Sequence, residues 1–257
     1  MTQRLPSPVD PWQALRRHTA ARIGLGRVDA SMPTAELLRF GLAHAKARDA
    51  VHSRLDTAAL AAALQAQGFD TLSARSLAPD RESYLLRPDL GRRIHPESRA
   101  LLEQAPRADV ALVIADGLSA QAATRHALPV AMLLRDALGG WPAPVVIAQQ
   151  GRVALGDDIG AALGARLAIV MLGERPGLSS PDSLGIYLTW APQPGRMDSE
   201  RNCISNVRPE GLRYEAAAHK LLFLVRQSLS RQLSGVALKD ESEGVTSIAG
   251  SGQTGSL

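Results

Sequence analysis

The chain has few cysteine and aromatic residues. It contains one cysteine, Cys203, and three residues each of Phe, Trp and Tyr in 257 positions. A single cysteine cannot form an intrachain disulfide, and no Cys/His spacing matches a zinc site. Scattered arginines and scarce aromatic side chains argue against nucleic-acid binding, although the sequence pI is about 9.7. The basic surplus instead favours an acidic partner protein or a phosphate-bearing ligand.

Long hydrophobic runs and known nucleotide cradles are also missing. No stretch approaches the roughly 18 apolar residues of a membrane-spanning helix, and the opening "MTQRLPSPVDPW" has no apolar signal core. The sequence therefore predicts a cytoplasmic protein without a membrane partner. Because GxGxxG and GxxxxGKS/T are both absent, neither a dinucleotide nor a triphosphate cradle is indicated.

The first 100 residues form the basic part of the chain. They carry 15 Lys and Arg against 10 Asp and Glu, whereas residues 101–257 carry 14 against 15. Asp10 and Thr34 are candidate N-caps for helices that reach about positions 22 and 52. A third, alanine-rich helix is predicted over residues 56–67. We therefore predict a helical N-terminal region over residues 1–100.

From Asp109 onward, short apolar runs alternate with helical stretches. The runs "DVALVIADG", "PAPVVIAQQG", "RLAIVMLGERPG" and "IYLTWAP" read as strands, and they are continuously apolar as in strands buried on both faces. This rhythm predicts an α/β domain over residues 101–239, with a parallel Rossmann-like sheet and flanking helices. The small, polar residues 240–257 are predicted to form a disordered tail.

Candidate ligand contacts lie where the predicted strands end. On an open parallel sheet, ligands bind beyond the carboxyl ends of the strands. Asp116, Ser119 and Glu174 occupy such ends in "ADGLS" and "LGERPGLSS". A turn acceptor, a helix cap and a loop-fixing pair with Arg175 explain these three residues equally well.

The other polar candidates favour structural roles. Asp157 and Asp158 are typical first-turn carboxylates stabilised by the helix dipole, and His126 is typical of a packed histidine. A further set of basic residues and histidines lies on the same predicted helix, which indicates a solvated or subunit-contacting face. Its members are His44, Arg48 and His52.

The segment "RNCISNV", which contains Cys203, is predicted to be a polar loop. Cys203 is most simply a buried small hydrophobe, because the histidine nearest to it in sequence is His219 and a nucleophilic thiol needs a neighbouring base. No catalytic residue and no metal site are assigned. The residues alone support a ligand-binding α/β module better than a complete catalyst.

Three motifs are more specific than the composition. "HAKARDAVH", "GERPGL" and "RNCISN" follow one another in that order, and from about Asp10 to Lys239 the chain closely resembles the small (light) subunit of ethanolamine ammonia-lyase. The resemblance implies an adenosylcobalamin-dependent enzyme of large and small subunits that converts ethanolamine to acetaldehyde and ammonia. It places the substrate and radical site on the large subunit, with the small subunit covering the corrin ring.

The resemblance also implies the roles of particular segments. Residues 1–100 would contact the large subunit, and residues 101–239 would bind cobalamin. The matching motifs assign cobalamin contacts to Val153 in "RVALGDD", Glu174 in "GERPGL" and Cys203 in "RNCISN". Since the cofactor carries the difficult chemistry, these side chains would supply position and electrostatics.

Two departures from related patterns bear on these expectations. The DxHxxG motif of many cobalamin domains is absent, so no protein histidine is expected on cobalt. The lead-in before Asp10 is short, which leaves the location as either the free cytoplasm or the lumen of a bacterial microcompartment.

Two other functions stay open. One is a stand-alone α/β nucleotide-binding enzyme that uses Asp116, Ser119 and Glu174, and the other is a structural partner that binds no small molecule.

Overall fold

The computed structural model describes residues 12–19, 21–28 and 30–242. The helices are α1 (Trp12–Arg16), α2 (Thr34–His52), α3 (Thr57–Ala66), α4 (Arg81–Leu86), α5 (Pro96–Glu103), α6 (Ala120–Leu138), α7 (Leu155–Ala162) and α8 (Tyr214–Arg231). The strands are β1 (Thr71–Arg75), β2 (Val110–Ala115), β3 (Val145–Gln149), β4 (Leu167–Gly173), β5 (Leu184–Trp190) and β6 (Arg201–Val207). None of these helices is long and apolar enough to cross a membrane.

The six strands form one mixed sheet in the order β1-β3-β2-β4-β5-β6. The first four strands are parallel, whereas β5 is antiparallel to β4 and β6 is antiparallel to β5. The prediction of an α/β fold with flanking helices is confirmed, whereas the predicted parallel Rossmann-like sheet is confirmed only in part, because the sheet is mostly but not purely parallel. The connection between β4 and β5, residues 174–183, contains turns and no helix. Parallel neighbours need a crossover of about a dozen residues or more, usually a helix, so this short connection reverses the chain.

The two edge strands were not predicted. β1 lies inside residues 1–100 and pairs with β3, so that region is not entirely helical and the sheet begins before residue 101. β6 is the segment "RNCISNV", so the prediction of a polar loop there is wrong.

Most of the predicted helices are confirmed, with adjusted ends. α3 lies within the predicted residues 56–67, and Asp56 accepts a hydrogen bond from Ala59 N at its start. α2 is also confirmed, but Thr34 is its first residue rather than its cap, since Pro33 occupies the cap position. Of the first helix, Trp12–Arg16 is observed, and Asp10 lies outside the described residues.

The apolar core fills both faces of the sheet. On β2, Leu112 and Ile114 belong to the layer formed with α3, α6 and α8, whereas Ala111 and Val113 belong to the layer formed with α5 and α7. Both faces of the sheet are therefore shielded from water. This is why the central strands are continuously apolar in sequence. Each fully buried leucine or isoleucine contributes about 1.5–3 kcal/mol relative to exposure.

α2 contrasts with this core because its apolar side chains face solvent. Ala50 is its buried residue, while Leu37, Leu38 and Leu42 are 55%, 68% and 58% exposed. We call these three leucines together with Phe40 the α2 apolar surface. A helix of this length gains most of its stability from packing an apolar face, yet the described part of the chain leaves these side chains uncovered.

The predicted tail begins differently from the expectation. Asp240 accepts a hydrogen bond from Lys220 Nζ at 3.1 Å, and Ser242 is buried. The first residues of the 240–257 segment therefore pack on α8. Residues 243–257 lie outside the described part of the chain.

Candidate functional site

A cleft of about 620 Å³ opens at the end of the sheet where β3 and β4 finish. Val153 and Ala154 line it from the loop after β3, and Leu172 and Gly173 line it from the end of β4. Tyr187 of β5 closes one side. The cleft therefore lies where the carboxyl ends of parallel strands usually place a ligand site.

The loop that carries Val153 is fixed from beneath. Arg152 N donates to Gly91 O at 2.8 Å, and the Tyr84 hydroxyl donates to Gly151 O at 3.0 Å. Asp116 accepts from Gly151 N at 2.9 Å. These bonds hold Val153, which is half-buried, at the cleft wall.

Asp116 and Ser119 are occupied by structural bonds. Besides Gly151 N, the buried Asp116 carboxylate accepts from Gln150 N at 3.0 Å and pairs with Arg81 at 3.4 Å. Burial raises the pKa of Asp116, although those backbone donors and Arg81 oppose the shift. Ser119 caps α6, and its hydroxyl donates to Pro181 O at 2.9 Å. The interpretation of these residues as turn acceptor and helix cap is confirmed.

Glu174 comes directly after β4 and is held by hydroxyl groups. The Ser183 and Ser205 hydroxyls each donate to its carboxylate at 2.5 Å, and Asn206 N donates at 3.3 Å. The expected pair with Arg175 does not form in the described structure. Glu174 instead ties the end of β4 to the edge strand β6.

Cys203 lies on β6 directly opposite Tyr187 of β5. The residue is exposed, so the expectation of a buried cysteine is wrong. Desolvation nevertheless raises the pKa of the thiol, the Tyr187 hydrogen bond opposes this, and the Glu174 charge adds to it. The thiol therefore stays protonated at neutral pH, which does not suit a nucleophile.

Tyr187 and Gly185 connect these residues into one surface. Tyr187 lines the cleft beside Val153 and lies opposite Cys203 in the pairing of β5 with β6. A Cβ atom on Gly185 would lie 2.9 Å from the Tyr187 ring and 3.0 Å from Glu174 Oε1, so only glycine allows this packing. Val153 thus lies in the cleft, and Glu174 and Cys203 lie beside it.

The sequence did not predict two ion pairs in the cleft wall. Arg201 Nη1 lies 2.6 Å from Asp157 Oδ1, and Asp158 accepts from Ile94 N at 2.9 Å and from Arg93 Nε at 3.2 Å. Burial raises the pKa of Asp157, while Arg201 opposes the shift. Asp157 and Asp158 do lie in the first turn of α7, but their partners are 44 and about 65 residues away in sequence. No local pattern identifies such pairs.

The histidines agree with their predicted structural roles. His126 is buried, and its Nδ1 lies 2.8 Å from the Tyr214 hydroxyl. A second set is exposed on α2, which agrees with either a solvated or a subunit-contacting face: His44, Arg48 and His52. Within the described residues, no group of three or more His, Cys, Asp or Glu side chains could hold a metal ion.

The fold and the cleft define a mixed α/β protein with an open cleft at one end of its sheet, and comparison with known proteins gives the family. A family model described as the ethanolamine ammonia-lyase light chain (EutC) matches residues 9–239. The chain belongs to this family, and it is therefore a subunit of an ammonia-lyase, which is a carbon–nitrogen lyase.

Individual relatives agree with the family model. The ethanolamine ammonia-lyase small subunit of Azotobacter vinelandii is 55% identical over 98% of this chain and 96% of the relative. The small subunit of Pseudomonas putida strain GB-1 is 55% identical over 95% and 92%. That of Ralstonia nicotianae is 55% identical over 91% and 90%. The name "small subunit" implies a large-subunit partner.

Proposed function

We propose that this chain completes the cobalamin pocket of an adenosylcobalamin-dependent ethanolamine ammonia-lyase. In this proposal the large subunit holds the substrate site, and the complex deaminates ethanolamine to acetaldehyde and ammonia. The observation that carries it is the continuous surface of Val153, Tyr187, Cys203 and Glu174, because three of these residues match the cobalamin contacts implied by the family motifs. When bound, adenosylcobalamin supplies the radical chemistry, and the protein supplies position and electrostatics.

The residues on this surface fit a corrin ring, which has a broad apolar face and a rim of amide groups. Val153, Leu172 and the Tyr187 ring provide an apolar wall. Glu174 can accept a hydrogen bond from an amide N–H, since Ser183 and Ser205 already hold its carboxylate in place. The protonated Cys203 thiol can pack against the ring edge without reacting with it.

We also propose that the α2 apolar surface contacts the large subunit. Its leucines are more than half exposed, and they lie in the N-terminal region for which the family resemblance implies this contact. Exposed leucines gathered on one helix are typical of a surface that a partner covers. Covering them would also supply the packing that α2 lacks within the described residues.

The stand-alone nucleotide-binding alternative finds less support. It needs Asp116 and Ser119 to contact a ligand, and both side chains already bond to the protein. The alternative of a partner that binds no small molecule has no use for the cleft. We therefore retain the cobalamin proposal.

Reconstitution with the family's large subunit tests the proposal. Corrinoid absorption should stay with the protein after gel filtration only when both subunits are present, and ethanolamine should release ammonia only in the full mixture. In the complex, the Val153→Ala/Cys203→Ala variant should bind cyanocobalamin about tenfold more weakly, because it loses apolar contact area. The control Val236→Ala, at a side chain that is 80% exposed and outside the cleft, should bind normally.

Two results would contradict the proposal. Turnover by the isolated chain would exclude the division of labour between subunits. Unchanged cobalamin affinity in Cys203→Ala would remove Cys203 from the contact surface.

A further inference from the structure

The cleft has a marked excess of positive charge. Its lining includes six arginines against two aspartates. The arginines are Arg92, Arg93, Arg152, Arg175, Arg196 and Arg201, and the aspartates are Asp158 and Asp198. A cleft lined mainly by one sign of charge concentrates the electrostatic potential and attracts counter-ions.

Three of the arginines are neutralised by carboxylates. Arg201 pairs with the buried Asp157 at 2.6 Å. Arg93 pairs with Asp158 at 3.2 Å, and Arg196 pairs with Glu200 at 2.5 Å. These pairs form part of the wall, and their charges are largely cancelled.

The other three arginines have no carboxylate partner within the described residues. Arg92 and Arg175 are exposed at the cleft. Arg152 is anchored, since its Nη2 donates to Tyr84 O at 3.1 Å and its guanidinium lies 4.3 Å from the centre of the Tyr84 ring. Its Nε is buried and has no hydrogen-bond partner. We call Arg92, Arg152 and Arg175 the cleft arginines.

The cleft arginines are suited to binding a phosphate group. A guanidinium presents several N–H donors in a fixed fork that matches the oxygen geometry of a phosphate. Keeping three such groups around one cleft costs electrostatic repulsion, which a bound anion would relieve. The remaining lining is apolar or already paired, so the anion must belong to a larger ligand.

We propose that the cleft arginines bind the phosphodiester of the cobalamin nucleotide loop. This inference rests on the proposed function, because it takes cobalamin as the ligand of the cleft. The corrin side chains are neutral amides, whereas the nucleotide loop carries one anionic phosphodiester. The arginines would thus recognise the loop, while Val153, Glu174 and Cys203 contact the ring.

Two corrinoids distinguish binding of the nucleotide loop from binding of the corrin ring in the reconstituted complex. Cyanocobalamin contains the phosphodiester, and cobinamide lacks the nucleotide and its phosphate. Affinities are measured by visible absorption at low and high salt, and assembly is followed by gel filtration. In the Arg92→Ala/Arg175→Ala variant, cyanocobalamin affinity should fall about tenfold or more and become less salt-dependent, while cobinamide affinity stays unchanged.

Arg226→Ala is the matched control, because it removes an exposed arginine of α8 outside the cleft. It should leave both affinities unchanged. The inference is wrong if the double variant binds cyanocobalamin normally, or if it loses both corrinoids equally. A wild-type complex that retains neither corrinoid would instead overturn the proposed function.

Discussion

The central sheet and helix α2 use similar apolar side chains in opposite ways. Leu112 and Ile169, on neighbouring strands, are completely buried, whereas Leu37 and Leu38 of α2 are more than half exposed. The sheet obtains its packing from helices of the same chain. Within the described residues α2 has no comparable layer, and its leucines stay exposed. Hydrophobicity alone therefore does not say whether a segment serves the fold or an assembly.

The sharpest test of this comparison substitutes one leucine in each region. Leu112→Ala should lower the free energy of unfolding by about 2–5 kcal/mol, because it opens a cavity in the apolar layer between the sheet and helices α3, α6 and α8. Leu38→Ala should change it by less than about 0.5 kcal/mol, since its side chain makes few contacts. Urea denaturation of the isolated chain measures both. A comparable loss in the two variants would mean that α2 packs against the domain in solution.

A smaller effect is expected when the α2 apolar surface is changed in the assembled state. Leu37→Ser/Leu38→Ser should weaken association with the large subunit about tenfold or more, because the variant loses two apolar side chains that the partner would bury. Isothermal titration or sedimentation measures the affinity.

The matched control for this prediction is Leu86→Ser. Leu86 is 72% exposed on α4, outside the α2 apolar surface, and its substitution should leave association unchanged. Equal weakening by both changes, or by neither, would place the large-subunit contact elsewhere.

The same contrast explains which parts of the fold could be predicted. The central strands β2, β3 and β4 are buried on both faces, so their apolar runs identify them. The two strands that were missed, β1 and β6, are the edges of the sheet. Edge strands are partly solvated and tolerate polar residues, and β6 is further irregular because Asn206 has a φ of 60°. Neither strand carries an apolar signal comparable to that of the centre.

The direction of β5 could be deduced only with a correct view of its connection. The sequence predicted a parallel strand here, but residues 174–183 contain no helix that could form a crossover. With no crossover helix, β5 must run back along β4.

The candidate site was predictable to a similar degree. Val153 and Glu174 follow strands, so their placement at one end of the sheet was expected, and the cofactor role proposed for them came from the family resemblance. The connecting residues Tyr187 and Gly185 had no signal in the sequence, because their importance depends on the pairing of β5 with β6. The cleft arginines were equally hidden, since Arg92, Arg152 and Arg175 meet only after folding.

The smallest predicted effect concerns two histidines. One lies on α6, which packs on the sheet, and the other lies on α2. On α6, His126 is buried against Tyr214 of α8, and its Nε2 lies 3.7 Å from Asp182 Oδ2. Burial lowers the pKa of His126 below 6.5, and Asp182 partly opposes the shift. On α2, His44 is exposed.

A depressed histidine pKa makes the folded state less stable in acid. The unfolded chain binds the proton more readily, so the stability linked to neutral His126 is present above about pH 6.5 and is lost as the pH falls through the folded pKa. At pH 7.5, His126→Gln should cost about 1 kcal/mol through the lost bond to Tyr214. This difference from wild type should narrow towards pH 5, because only the wild type then has to protonate a buried ring. His44→Gln should match wild type throughout. Urea denaturation measures the free energy of unfolding between pH 7.5 and pH 5. If the difference between His126→Gln and wild type stays constant over this range, the buried ring does not resist protonation.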